Sequence, residues 1–192
     1  ISGKHIIRDK GDDYIVITGM IDGRVELHNH ISVRRKVPDM DFVCENSNRI
    51  WGCSSKNNEI YASKLGDPTN FDVYMGISTD SYAASTGTDG PFTGAISYRG
   101  YLLFFKENCV HKIYGQNPPY TIITSYIRGV QKECHRSLVC LNETLYYKSP
   151  GGICAYEGGV PVCVSQNLGK EFYSHAVAGA CGNRYYICMS DK

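Results

Sequence analysis

Residues 99–114 read Arg99-Gly100-Tyr101-Leu102-Leu103-Phe104-Phe105-Lys106-Glu107-Asn108-Cys109-Val110-His111-Lys112-Ile113-Tyr114. Two short apolar runs flank a polar turn, and a tight Arg-Gly turn precedes them. Runs this short, bounded by turn residues, are strands and not helices. The same order of parts recurs twice more. Arg49-Ile50-Trp51-Gly52-Cys53 and Glu59-Ile60-Tyr61-Ala62-Ser63 flank Lys56-Asn57-Asn58, after the turn Asn46-Ser47-Asn48. Thr144-Leu145-Tyr146-Tyr147-Lys148 and Ile153-Cys154-Ala155-Tyr156 flank Pro150-Gly151-Gly152, after Asn142-Glu143. A fourth copy opens at Cys181-Gly182-Asn183 and runs into Tyr185-Tyr186-Ile187-Cys188-Met189.

From Ile50 to Leu102 is 52 positions, from Leu102 to Leu145 is 43, and from Leu145 to Tyr185 is 40. A repeat of ~40–50 residues with about four strands per copy is the pattern of β-propeller blades. The longer first interval contains residues 78–90, rich in Ser, Thr, Gly and Asp, which read as an extended surface loop. The predicted fold is therefore all-β. It is a partial β-propeller of about three blades, each of four short antiparallel strands, plus incomplete blades at both ends. Residues 1–192 form one propeller-like domain, expected to be a fragment of a longer chain, with approximate blades 37–76, 92–126, 137–165 and, in part, 175–192. The competing arrangement of the same hairpins is an irregular β-sandwich. Upstream, Tyr14-Ile15-Val16-Ile17-Thr18 and Arg24-Val25-Glu26-Leu27-His28 flank Asp22-Gly23, a strong hairpin signal.

Composition narrows the partners. Lys plus Arg number 20 against 19 Asp plus Glu, and a net charge of +1 is too small for nucleic-acid binding. The run Arg34-Arg35-Lys36 reads as a solvated or edge-protecting face. No stretch reaches the ~18 apolar residues of a membrane span. Neither nucleic acid nor a membrane is an expected partner. The nine cysteines are odd in number, lie mostly inside apparent strands and form no Cys-x-x-Cys. They read as small buried hydrophobes with free thiols, one or two disulfides being the alternative, and not as a zinc site.

No nucleophile elbow, phosphate-cradling loop or His-Glu-x-x-His is present. His28 and His30 alternate on an apparent strand and so share a face, but no third metal ligand follows them. Asp39, Asp41, Glu45, Asp67 and Asp72 are scattered among turns, without the pairing that glycoside hydrolysis needs. No catalytic residue, metal or cofactor is expected, and the chain does not read as an enzyme.

Asn48-Arg49-Ile50-Trp51-Gly52, followed by Glu59-Ile60-Tyr61-Ala62-Ser63-Lys64-Leu65-Gly66-Asp67-Pro68-Thr69-Asn70-Phe71, resembles a segment of phage and prophage virion proteins, including tail proteins with propeller domains. The resemblance continues through Phe92-Thr93-Gly94-Ala95, Gly129-Val130-Gln131-Lys132 and Tyr147-Lys148-Ser149-Pro150-Gly151-Gly152, and covers residues 42–192. It implies a structural or interaction component of the virion, made in the bacterial host cytoplasm. Its implied partners are other virion or tail proteins, with self-association as a further option. The alternative is a carbohydrate-binding propeller that recognises a host glycan, and less favoured is a glycosidase on a propeller scaffold. Trp51 and Phe71 are expected to pack between blades. Ligand or partner contacts are expected at Trp51 and on the two long connections, at Tyr82 and Asp89 within 78–90 and at Tyr126 and Arg128 within 126–136, because loops on a rigid scaffold carry specificity. Deleting 78–90 is expected to leave the fold nearly intact.

Overall fold

The computed structural model describes residues 37–71, 77–169 and 172–191, together with the backbone of three strands upstream of them. Those strands, β1 (Lys4–Arg8), β2 (Tyr14–Thr18) and β3 (Ser32–Arg34), form an antiparallel sheet in the order β1-β2-β3. The expected partner of β2, Arg24 to His28, lies outside the described residues, as do Asp22, Gly23, His30, Arg35, Lys36 and Asp72.

Three four-stranded antiparallel meanders follow. The first contains β4 (Phe42–Asn46), β5 (Arg49–Ser54), β6 (Glu59–Ala62) and β7 (Tyr82–Ser85). The second contains β8 (Gly94–Tyr98), β9 (Tyr101–Phe105), β10 (Val110–Tyr114) and β11 (Thr121–Ser125). The third contains β12 (Val139–Leu141), β13 (Thr144–Ser149), β14 (Gly152–Tyr156) and β15 (Val162–Cys163). A two-stranded sheet, β16 (His175–Cys181) with β17 (Arg184–Ser190), completes the series. Among the described residues the only helical pieces are two single 3₁₀ turns, so the fold is all-β.

Each of these four units opens with the same hairpin. Asn46 faces Arg49, Tyr98 faces Tyr101, Leu141 faces Thr144 and Cys181 faces Arg184, each pair closing a two-residue loop. Such loops match strand twist when both central residues take positive φ. Ser47 and Asn48 stand at 53° and 58°, Arg99 and Gly100 at 50° and 82°, and Asn142 and Glu143 at 49° and 64°. The turn residues thus set a common register for the second strand of every unit.

That register decides how the sheets stack. Successive residues of a strand point to opposite faces. On β9, Leu102 and Phe104 pack with Trp51, Cys53, Ile60 and Ala62 of the first meander, while Leu103 and Phe105 pack with Leu145, Tyr147, Cys154 and Tyr156 of the third. Both faces of β9 are covered, which is why its sequence is a continuous apolar run and not an alternation. On β13 the pattern repeats: Leu145 and Tyr147 face the second meander, whereas Tyr146 stacks on Tyr185 of β17 with ring centroids 5.2 Å apart. The sheets therefore stack face to face in chain order.

Residues 78–90 are not a loop free of the core. They contain β7, which pairs with β6 from Glu59 opposite Ser85 to Ala62 opposite Tyr82, so the first meander runs past residue 76 to residue 85. The short sequence Tyr82-Ala83-Ala84-Ser85 has no alternating or branched apolar pattern of its own, and its order comes from the edge of β6 and from Arg49. The Arg49 guanidinium is buried and donates to the carbonyls of Ser63 (2.6 Å), Ser78 (2.6 Å) and Asp80. Deleting 78–90 would therefore remove a strand and strand a buried cation.

Thr88, in the same segment, joins a buried polar node between the first two meanders. Lys106 donates to Asn58 Oδ1 (2.6 Å) and the Thr88 carbonyl (2.7 Å), and lies 4.7 Å from the Phe92 ring centre. The His111 ring contacts Thr88 Oγ1 through Nε2 (3.0 Å) and Thr124 Oγ1 through Nδ1 (2.9 Å). Burial, reinforced by the Lys106 charge, pushes His111 down to about 4 from 6.5. The folded protein thus holds the neutral imidazole, while the unfolded chain takes up a proton as pH falls below 6.5. Stability from the neutral ring is present above pH 6.5 and lost as pH falls toward 4. The expected loss is about 2–3 kcal/mol between pH 7 and 4.5, read from urea midpoints. His111→Gln should flatten that slope, and an unchanged slope would count against the assignment.

Candidate interaction cleft

The connection from β11 to β12 is pinned along its length. The Tyr147 hydroxyl donates to the Arg128 carbonyl (2.7 Å), the Gly129 N–H to the Glu107 carbonyl (2.9 Å) and the Gln131 N–H to the Lys148 carbonyl (3.0 Å). The Lys132 N–H reaches the Glu107 carboxylate at 3.0 Å. With its backbone held, the connection presents Tyr126, 80% exposed, and Arg128 outward. The Arg128 guanidinium rests against Gly151, where an added Cβ would meet its Nη1 at 2.8 Å. A large side chain at Gly151 would displace it.

Tyr126, Ile127 and Arg128 form one wall of a cleft of about 550 Å³, and Val160, Pro161 and Cys163 the other. Val160 is 80% exposed. The cleft is apolar apart from Asn108 and Arg128, the single charge that lines it. An exposed tyrosine and an arginine thus stand beside a concave, backbone-anchored apolar surface, and both residue types are enriched where proteins bind one another.

Tyr126 and Arg128 are thus brought together. The other candidates lie elsewhere. Trp51 is buried and packs its ring against Tyr120 of the second meander at 4.8 Å between centroids. Tyr82 is half-buried and meets Tyr120 at 5.1 Å, so Trp51, Tyr82 and Tyr120 form a packing cluster between two sheets. Phe71 is also buried. Asp89 is exposed, and its charge acts on Lys106 and not on the cleft. Sequence reasoning missed Val160, Pro161 and Cys163. Their signal was the apolar run Val160-Pro161-Val162-Cys163-Val164.

All nine cysteines carry free thiols. Burial pushes Cys44 up to about 12 and raises Cys53, Cys134 and Cys154 as well, opposite to the direction that activates a thiolate nucleophile. Among the described residues no group of three or more His, Cys, Asp or Glu side chains is placed to hold a metal ion. Comparison with known proteins gives no family model that matches the chain and no curated protein that matches its sequence.

Proposed function

We propose that the chain is a structural and interaction module of a phage or prophage particle, its stacked meanders acting as successive blades of a partial β-propeller. The observation that carries the propeller reading is the covering of β9 on both faces. A sandwich buries one face of each sheet, whereas here the second and third sheets each lie between neighbours. The virion setting rests on the resemblance of residues 42–192, and other virion or tail proteins are the partners it implies. Those partners would seat in the cleft of Tyr126, Arg128 and Val160. A glycan is the weaker candidate, because Trp51, the best ring for stacking on a sugar, is closed off by Tyr82 and Tyr120.

The test is incorporation. Parent and Tyr126→Ala/Arg128→Glu chains would be expressed in a lysogen, and purified particles assayed by quantitative mass spectrometry. The expected result is parent chain in the particles and at least tenfold depletion of the variant, with unchanged melting temperature of the isolated protein. Absence of the parent from particles would overturn the virion reading. Equal incorporation of the variant would overturn the cleft as the contact.

A further inference from the structure

Cys154 of β14 and Cys163 of β15 stand directly opposite one another. The Val164 N–H donates to the Ile153 carbonyl at 2.8 Å, so residues 153 and 164 form a hydrogen-bonded pair and Cys154 and Cys163 the adjoining non-hydrogen-bonded one. Side chains come closest at such pairs, where the Cα atoms are about 4.5 Å apart. A disulfide bridges Cα separations of about 4.4–6.8 Å. Among the described residues no other cysteine faces a cysteine across a sheet: Cys44 faces Trp51, Cys53 faces Phe42 and Ile60, Cys140 faces Leu145, Cys181 faces Arg184 and Cys188 faces Val177.

Tyr147, Cys154 and Cys163 form one row across β13, β14 and β15, on the face turned to the second meander. Both cysteines border the cleft of Tyr126 and Arg128, which gives a small reagent a way in. Cys163 is half-buried and Cys154 buried, so Cys163 meets that reagent first. The two sulfurs lean toward the same end of the hairpin. Cys154 donates to Ser149 Oγ at 3.2 Å, and Ser149 donates in turn to the Gly152 carbonyl at 2.9 Å. Cys163 Sγ lies 3.8 Å from the Gly151 carbonyl oxygen, and a Cβ on Gly152 would lie 3.0 Å from that sulfur. Burial raises the Cys154 pKa, and the Arg128 and Lys148 charges act more weakly against it. Cys154 is therefore a poor first nucleophile and is placed to attack a sulfur already carried by Cys163.

We propose that Cys154 and Cys163 are a dithiol modification site, closed to a cross-strand disulfide by a small-molecule disulfide of the oxidised-glutathione class. The Cys163 thiolate attacks one sulfur of the reagent, whose S–S bond breaks as a mixed disulfide forms and one thiolate leaves. Cys154 then attacks the Cys163 sulfur, forming the bond between the two cysteines and expelling the second thiolate. The protein thiols give up two electrons and two protons, and the reagent takes them up to become two thiols. The new bond fastens β15, a strand of two residues, to β14 and fixes the wall of Val160 and Pro161 across the cleft from Tyr126. The site holds whether or not a virion protein seats in that cleft, because its test reads thiols and not incorporation.

Trypsin cuts after Lys148 and Lys170 and releases both cysteines, and no other, in the peptide 149–170. The folded chain is equilibrated with reduced and oxidised glutathione, quenched in acid, alkylated under denaturing conditions and digested for mass spectrometry. The expected product is this peptide two hydrogens lighter and without alkyl groups, at least tenfold more abundant than glutathione-bearing forms of the exposed Cys140, Cys181 or Cys188. Unfolding the chain in urea should lower its yield at least tenfold, since strand register supplies the proximity. In Cys154→Ser protein Cys163 should retain the glutathione. In Cys163→Ser protein, altered at the half-buried position, Cys154 should stay a free thiol. The Val164 amide should exchange more slowly once the bond has formed. A peptide that stays reduced or carries two glutathiones would overturn the proposal, as would an equal yield in urea or glutathione on Cys154 of the Cys163→Ser protein.

Discussion

Gly129→Ala is expected to cost about 3–5 kcal/mol and to break the junction of the second and third meanders. A Cβ at this position would lie 1.9 Å from the Lys106 carbonyl oxygen, 3.1 Å from its carbon and 3.3 Å from the Cys109 carbonyl oxygen. All three are backbone atoms of the tight β9 to β10 turn, so no rotamer change relieves the clash. The connection must lift instead, losing the Gly129 N–H bond to the Glu107 carbonyl and loosening the anchors at Arg128 and Gln131. Overpacking alone costs about 1–3 kcal/mol, and each hydrogen bond lost adds about 1. Urea unfolding measures the total. Gly151→Ala is the control: the three atoms nearest its Cβ all belong to the Arg128 guanidinium, the end of a long side chain that can shift, and about 0.5–1 kcal/mol is expected. A Gly129→Ala protein as stable as that control would mean that the connection is not seated on the turn.

The same glycine shows what kind of information the sequence carries. Its φ is not positive, so no turn signal marks it; the constraint is a close approach between segments distant in sequence. By contrast, the hairpins β5 to β6, β9 to β10 and β13 to β14 were legible because apolar runs and turn residues are local. β7 was not, since Tyr82-Ala83-Ala84-Ser85 lacks a hydrophobic pattern and is held by an edge and an arginine formed elsewhere. Trp51 illustrates a different limit. A tryptophan on a strand serves equally as a ligand platform or as packing between sheets, and only its register opposite Ala62, facing Tyr120, decides. Tyr126 and Arg128 were found from their place on a long connection. Lys148, at the end of a strand run, is 3% exposed, and its own residue type does not announce burial. Its warning was the pair Tyr146-Tyr147 just before it, as Phe104-Phe105 precedes the equally buried Lys106.

Arg49→Met should destabilise the protein by about 3–5 kcal/mol and release residues 77–85. Methionine keeps the apolar stem but leaves the carbonyls of Ser63, Ser78 and Asp80 without their donor. Ser63 and Asp80 are buried, so water does not replace it there. A hydrogen bond to a charged group contributes about 1.5–3 kcal/mol, and three together exceed the expected loss. The difference is the desolvation of a buried guanidinium, which the substitution relieves. Against a total of about 5–15 kcal/mol for a domain, the loss is large. Urea midpoints give its size, and hydrogen exchange gives its place, with protection lost first at β7 and at the Ser63 turn. Arg49→Lys should recover only a minor part, because the planar fork serves Ser63 and Asp80 from Nη1 and Ser78 from Nη2, and a single ammonium nitrogen on a flexible stem does not reproduce that spread. If Arg49→Met lay within about 1 kcal/mol of the parent, with exchange at β7 unchanged, β6 alone would be holding that strand. Then the pairing of β7 with β6 and the Thr88 contacts to Lys106 and His111, and not the Arg49 anchor, would be what a deletion of residues 78–90 removes.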